Sequence, residues 1–359
     1  MHINPNLFFL AKPPVLVAWN YKTHTQFEID SAHAGRLLEL INDITSFNHN
    51  NALDHALFIT GLIQIEPDES ELWGWDILSR IFHIGTKDLA SENQPQNAQQ
   101  WAQDYVAHCD DAMNRPFPRP HRLAGMPIEN MIALPPPLPN PTLDINNSLT
   151  DTLFKRKTCR EFLHKGASLE DMSTLLYLSF GYLKERENDT TPLTPKHLHA
   201  RRSSPSGGGL NSCEAYLYAY NIKNLNPGIY YYHPALHAIR LVQSLNSSLG
   251  SFMQGQHFVN DLAFGIFLTV RLDKLWWKYE HSRAYRVALL EAGHLSQTFQ
   301  LTATALGFNT WLSAAMNDSQ VEKALGIKDM NEQVLLFTGG GYSNGAIFCD
   351  QLIQQLTPH

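Results

Sequence analysis

Along the second half of the chain, apolar residues come in short unbroken runs and in long helical stripes. FGIFLTVRL (264–272) and QVLLFTGGGY (333–342) are runs of strand length, which predicts strands buried on both faces. EAYLYAYNI (214–222) and GIYYYHPALHAIRLV (228–242) are rich in aromatic and β-branched residues and predict strands joined by the turn Asn226–Pro227–Gly228. Between the two buried runs the period changes. Tyr285, Ala288, Leu289, Ala292, Leu295, Phe299, Ala303 and Leu306 make one stripe, so residues 282–306 predict the longest helix, stopped by Gly307. SLEDMSTLLYLSFGYL (168–183) predicts a further helix, capped at Ser168, with Leu175, Leu178 and Tyr182 on one face.

The first half reads differently. PVLVAWNYKTHTQFEID (14–30) predicts two strands around a polar turn, SAHAGRLLELIND (31–43) and ALDHALFITGLIQIE (52–66) two helices and a short closing strand. Residues 1–66 are therefore expected to be a small winged-helix-like module, used for peptide binding or scaffolding. ELWGWDILSRIFHIGTKDL (71–89) predicts an amphipathic helix, and residues 91–104 are Gln/Asn-rich and expected to be exposed. IALPPPLPNPTL (132–143) holds five prolines, which favour an extended conformation, so residues 67–147 are assigned to a connecting region and 148–359 to the main domain.

At 359 residues the chain exceeds a usual single core, and 43% apolar against 17% charged residues makes it an ordered globular protein. The net charge of −7 is dispersed, so no basic stripe invites nucleic acid or an anionic membrane. No apolar run approaches the roughly 20 residues that span a bilayer. The N-terminal MHINPNLFFLAKPPVLVAW lacks the basic start and cleavage site of a signal peptide, and a soluble, cytoplasmic protein is expected. Cys109, Cys159, Cys213 and Cys349 stand far apart, which fits free thiols better than disulfides or zinc, and the scattered histidines predict no metal site.

Three constellations could carry chemistry. In FKRKTCREF (154–162), Arg156, Thr158 and Arg160 alternate, so two guanidiniums and a hydroxyl can face one phosphate; the same run suits a solvated surface equally. In RRSSPSGGGLNSCEAY (201–216), Pro205, Ser206, Gly207 and Gly208 let backbone approach a flat ligand, or form a merely flexible loop. Neither glycine cluster fits GxGxxG, because Asn344 occupies the third glycine position of GGGYSNG. In WWKYEHSRAYRVALLEAGH (276–294), Lys278 and Tyr279 stand together before the long helix, behind Trp276 and Trp277. A nearby cation lowers a phenol's pKa and makes it a usable base; an adjacent Lys–Tyr is also a common surface pair.

Taken in order, KRKTCREF, RRSSPSGGGLNSCEAYLYAY, PGIYYYHPALHAI, WWKYEHSRAYRVALLEAGHLSQTFQLTATALGF and VLLFTGGG resemble the nitroreductase superfamily over residues 150–345. Within it the chain is similar to the SagB-type (McbC-like) azoline dehydrogenases of thiazole/oxazole-modified peptide biosynthesis. The resemblance implies an α+β fold, a mixed sheet flanked by helices, and a homodimer with FMN between the subunits. It implies a phosphate site at Arg156, Thr158 and Arg160, a loop at Pro205, Ser206, Gly207 and Gly208 that borders the neighbour's flavin, and a flavin-facing backbone at Ser313 and Ala314. It puts the pair used in azoline oxidation at Lys278 and Tyr279. The implied reaction removes the ring's α-proton and a hydride from the neighbouring carbon, giving an aromatic azole, with Tyr279 as base or proton relay and Lys278 as its electrostatic partner. The implied partners are a modified peptide and a cyclodehydratase complex. Two other readings stay open: an NAD(P)H-dependent nitro- or quinone reductase, and a non-catalytic scaffold subunit.

Overall fold

The computed structural model describes residues 1–67, 76–87, 97–123, 129–137, 149–187, 195 and 198–356. They divide into two compact units, Met1–Asn93 and Gln94–His359. Half of the proline-rich stretch, the expected boundary near residue 148 and much of the Gln/Asn-rich segment lie outside the described residues.

In the first unit β1 (His2–Ile3) leads into an antiparallel sheet of β2 (Leu7–Lys12), β3 (Val15–Asn20) and β4 (Thr25–Ile29). Asp30 caps α1 (Ser31–Asn42) by accepting from the His33 amide, and Asn51 caps α2 (Ala52–Ile59) in the same way. β5 (Ile63–Gln64) returns to pair with β1, and α3 (Ile77–Gly85) follows. Ala18, Ile29, Leu37, Leu40, Leu57 and Leu62 form its core. Arg36 reaches Asp54, a fully buried carboxylate, at 2.6 Å and holds its pKa down.

The second unit opens with α4 (Ala98–Met113), a helix the glutamine-rich sequence did not suggest. Then come β6 (Ile132–Ala133), α5 (Leu149–Lys155), α6 (Leu169–Phe180), β7 (Cys213–Ala219), β8 (Gly228–His233), β9 (Ala238–Ser244) and α7 (Leu249–Phe252). The chain continues through β10 (Phe264–Arg271), α8 (Leu272–Lys278), α9 (Ala284–Ala305), β11 (Asn309–Ser313), α10 (Asp318–Leu325), β12 (Glu332–Gly341) and α11 (Asp350–Leu356). Seven strands form one sheet in the order β11–β12–β10–β7–β8–β9–β6.

Period-two alternation sorts the sheet's side chains into two cores. Ala215, Leu217 and Ala219 of β7 with Tyr230 and Tyr232 of β8 face α6 and α9, while Tyr216, Tyr218, Ile229 and Tyr231 face the side of α7 and α10. The long helix buries Ala288, Ala292, Leu295, Phe299 and Ala303, the three-and-four spacing of a core face.

Several expectations are corrected here. Every ladder among the described residues is antiparallel; the parallel pairing of the expected mixed sheet is confined to single bridges, Thr158–Thr310 and Ala167–Ile222. The long run 228–242 is two strands, because it turns back at Pro234–His237, where His237 takes φ +48°. Tyr285 and Leu289 of the apolar stripe are exposed, and Tyr182 lies beyond the end of α6.

Candidate functional site

The glycine loop and the Lys–Tyr pair, remote in sequence, meet at one end of the sheet. β10 ends there at Arg271, and antiparallel pairing brings the start of β7 alongside it, Cys213 opposite Val270. The chain leaving β10 forms α8, whose last residue is Lys278, with Tyr279 as its cap; the pair ends a short helix of its own rather than opening the long one. The chain entering β7 is the glycine loop. Gly208 sits so close to the pair that a Cβ on it would lie 2.7 Å from Tyr279 Oη and 3.0 Å from Lys278 Nζ. Its φ of +62° also belongs to the left-handed region, so a side chain there is strained and must displace the ends of Tyr279 and Lys278.

Buried polar groups fix this loop. Glu291 projects from α9 with 2% of its surface exposed and accepts from Ser206 Oγ at 2.7 Å, Ser212 Oγ at 2.9 Å and the Cys213 amide at 3.0 Å. Arg202 lies 3.8 Å from the same carboxylate and donates to the carbonyls of Phe180 and Cys213. Lys274 of α8 donates to the Asn211 carbonyl at 2.9 Å. The Ser206 hydroxyl, expected to face a ligand, is thus turned inward, accepting from the Asn211 amide and donating to Glu291.

Lys278 is only 5% exposed, and no carboxylate among the described residues pairs with it. Its ammonium instead lies 5.9 Å from the Tyr279 ring centre and 5.7 Å from that of Tyr105 on α4. Among the described residues this buried cation is answered by aromatic faces, which makes it costly to hold. Tyr279 departs from expectation: burial pushes its pKa up, and the charges of Cys109 and Glu291 push the same way, so the phenol stays protonated at neutral pH. A hydrogen bond with Cys109, then burial, raises Tyr105 as well. The two tryptophans part company: Trp277 is buried edge-on to Phe117 at 4.8 Å, but Trp276 is half exposed and walls nothing.

Arg156, Thr158 and Arg160 lie at the opposite end of the sheet. Thr158 bridges Thr310 of β11, which pairs with Gly340, which neighbours Phe264 at the start of β10. Cys159 between them is fully buried, while the three flanking residues stay partly exposed. Arg160 Nη1 donates to the Ile347 carbonyl at 3.0 Å, and a cavity of about 590 Å³ opens beside it, lined also by Phe162, His257 and Asp350. Ser313 ends β11, its hydroxyl accepting from the Ala315 amide, and Ala314 is exposed beyond it. From Phe264 to Val270 is six strand residues, so about 20 Å of strand lies between the two ends of the sheet near which the clusters sit.

Two guanidiniums and a hydroxyl are a donor set whose chemistry suits the phosphate of a flavin mononucleotide, and of the three Arg160 lines the cavity. Sequence reasoning missed Glu291, Tyr105 and Cys109. Glu291 carried a signal: an acid three positions after Ala288 and one before Ala292 sits on a buried helix face.

With this geometry in hand, comparison with known proteins can be weighed. The chain is 25% identical over 198 residues to the trifolitoxin-processing protein TfxB of Rhizobium leguminosarum bv. trifolii, covering 52% of each. It is 31% identical over 141 residues to the microcin B17-processing protein McbC of Escherichia coli, covering 37% of this chain and 52% of McbC. The matches thus span about half the length of these curated relatives. Among solved structures, a chain of the E. coli microcin synthetase McbBCD complex with truncated pro-MccB17 bound is 23% identical, with TM-score 0.44, over 70% of this chain and 95% of that one. Among the described residues, no helix is long and apolar enough to cross a membrane. The nitroreductase family pattern matches residues 153–342, just over half of the chain and all of the seven-stranded sheet except β6, and the chain belongs to the nitroreductase family.

Proposed function

We propose that the protein is an FMN-dependent azoline dehydrogenase that oxidises thiazoline or oxazoline rings in a ribosomally made peptide. The observation that carries this reading is Lys278, a buried cation with no carboxylate partner among the described residues, packed with Tyr279 Oη against Gly208. A flavin reductase acting on small acceptors has no evident use for such a pair; a reaction that removes a carbon-bound proton has. That two relatives are named as processing proteins of trifolitoxin and microcin B17 supports a peptide substrate.

Arg156, Thr158 and Arg160 would hold the FMN phosphate. When bound, FMN supplies a two-electron acceptor. The protein's own residues handle the proton. Tyr279, as phenolate, takes the α-proton of the ring, and the nearby Lys278 ammonium stabilises that phenolate, the more so the less water lies between them. Gly208 fixes Oη by contact, and Trp277 and Met113 help exclude water.

The site requires a second copy of the chain, since about 20 Å of strand lies between the two ends of the sheet near which the phosphate cluster and the pair sit. Leu149, Leu153 and Phe154 of α5 with Tyr285, Leu289 and Leu290 of the adjoining α9 are exposed, an apolar face for that homodimer. A cyclodehydratase that forms the azoline is the expected further partner. Anaerobic mixing tests the reading: a thiazoline peptide should bleach the flavin and NADPH should not. Bleaching by NADPH alone would make the protein an ordinary reductase.

A further inference from the structure

The pair does not sit in a closed chamber. A cavity of about 640 Å³ leads to it, bounded by Lys278 and Gly208 on one side, Leu198 on another and Tyr105, Cys109 and Met113 of α4 on the third. That volume is typical of a site for a small ring system, within the usual range of roughly 300–1,000 Å³.

The helix α4 continues the cavity outward. Trp101, Tyr105, Cys109 and Met113 recur every fourth residue and so share one stripe. Burial grades along it: Trp101 is 56% exposed, Tyr105 46%, Cys109 and Met113 partly buried, and neighbouring Ala112 only 2% exposed. The Trp101 and Tyr105 rings stack, with centres 5.4 Å apart and planes within 16°. An apolar ramp thus descends from solvent to the ammonium of Lys278.

We infer that this stripe is the track for the peptide substrate, receiving an extended segment whose azoline ring enters the cavity. This rests on the functional reading above. A compact nitroaromatic or quinone would fill the cavity and leave Trp101 and Tyr105 without a purpose, whereas a chain would use both. From Trp101 to Met113 is twelve helical residues, about 18 Å, the length of five or six extended peptide residues. Arg201 and Lys278 on the cavity wall outnumber Asp110, which makes a basic segment a poor occupant, so the peptide is neutral or acidic.

The test uses flavin-loaded protein and a fluorescein-labelled, amidated hexapeptide of glycine, alanine and serine with one central thiazole, which binds but cannot react. In anisotropy titrations the double variant Trp101→Ala/Tyr105→Ala should raise the Kd roughly ten-fold, and Tyr105→Phe, which keeps the ring, should stay near wild type. Alanine preserves the helix, and retained flavin content reports the fold. An unchanged Kd in the double variant, or no binding by the wild type, overturns the track. So does loss of the dimer in that variant by light scattering, which would make the stripe an interface between copies. Stripe-dependent binding without turnover of the matching thiazoline peptide would keep the track and sink the dehydrogenase reading instead.

Discussion

Tyr279 shows how a residue's neighbours can be read from sequence while its proton affinity cannot. Adjacency to Lys278 suggested a lowered pKa; burial raises it above the ordinary 10.0. The sign has a kinetic consequence. If the phenolate is the base, each pH unit below the raised pKa costs about ten-fold in the reactive form. The rate of azoline oxidation should therefore climb with pH through 8, 9 and 10, and Tyr279→Phe should lose that limb along with the activity. A flat profile in the wild type would remove Tyr279 as base. Gly208 makes a second test at the same scale. Gly208→Ala costs only about 1–2 kcal/mol in backbone strain, which the fold tolerates. Its new methyl must displace Tyr279 Oη or Lys278 Nζ, and a misplacement of about 1 Å can cost on the order of 10²-fold in rate. We expect a folded, flavin-loaded, nearly inactive variant; full turnover would mean that the contact does not matter.

At the scale of elements, α9 binds the loop to the sheet through Glu291. Glu291→Ala leaves Arg202 buried without its carboxylate and strands two hydroxyls and an amide, a loss of about 3–5 kcal/mol that urea unfolding should register. A change under 1 kcal/mol would show that water replaces the carboxylate. The strands β10 and β12 were legible in sequence as unbroken apolar runs of strand length, β7 from its aromatic residues, and the helices α6 and α9 from a period near 3.6. Residues 98–113 hid their helix because exposed glutamine, aspartate and alanine leave no apolar stripe wide enough to read. The split of 228–242 into two strands hid in a run whose turn residues are proline and a histidine at positive φ. In the site, side-by-side residues such as Lys278 and Tyr279, or Arg156, Thr158 and Arg160, could be found from spacing. Partners supplied by other elements, Glu291, Tyr105 and Cys109, could not, because only the fold places them.

For the whole molecule, the distance between the two clusters decides the arrangement. On the proposed reading, Arg160 of one copy and Tyr279 of the next serve one flavin. Arg160→Ala alone should weaken flavin binding about ten- to a hundred-fold, and Tyr279→Phe alone should stop oxidation. A hybrid of the two chains carries one site with both lesions and one with neither, so co-expression with random pairing, in which half of the dimers are hybrids, should restore about a quarter of the wild-type activity. Activity no higher than in either parent would place the site within a single chain. The central claim is that Lys278 and Tyr279 perform azoline oxidation on a bound flavin. Its most direct test is mass spectrometry of a synthetic thiazoline peptide after incubation with flavin-loaded wild type and Tyr279→Phe under identical conditions. The account predicts loss of two hydrogens from the ring with the wild type and a rate roughly 10²–10⁴-fold lower with the variant, at equal flavin content; conversion by the variant at the wild-type rate would contradict it.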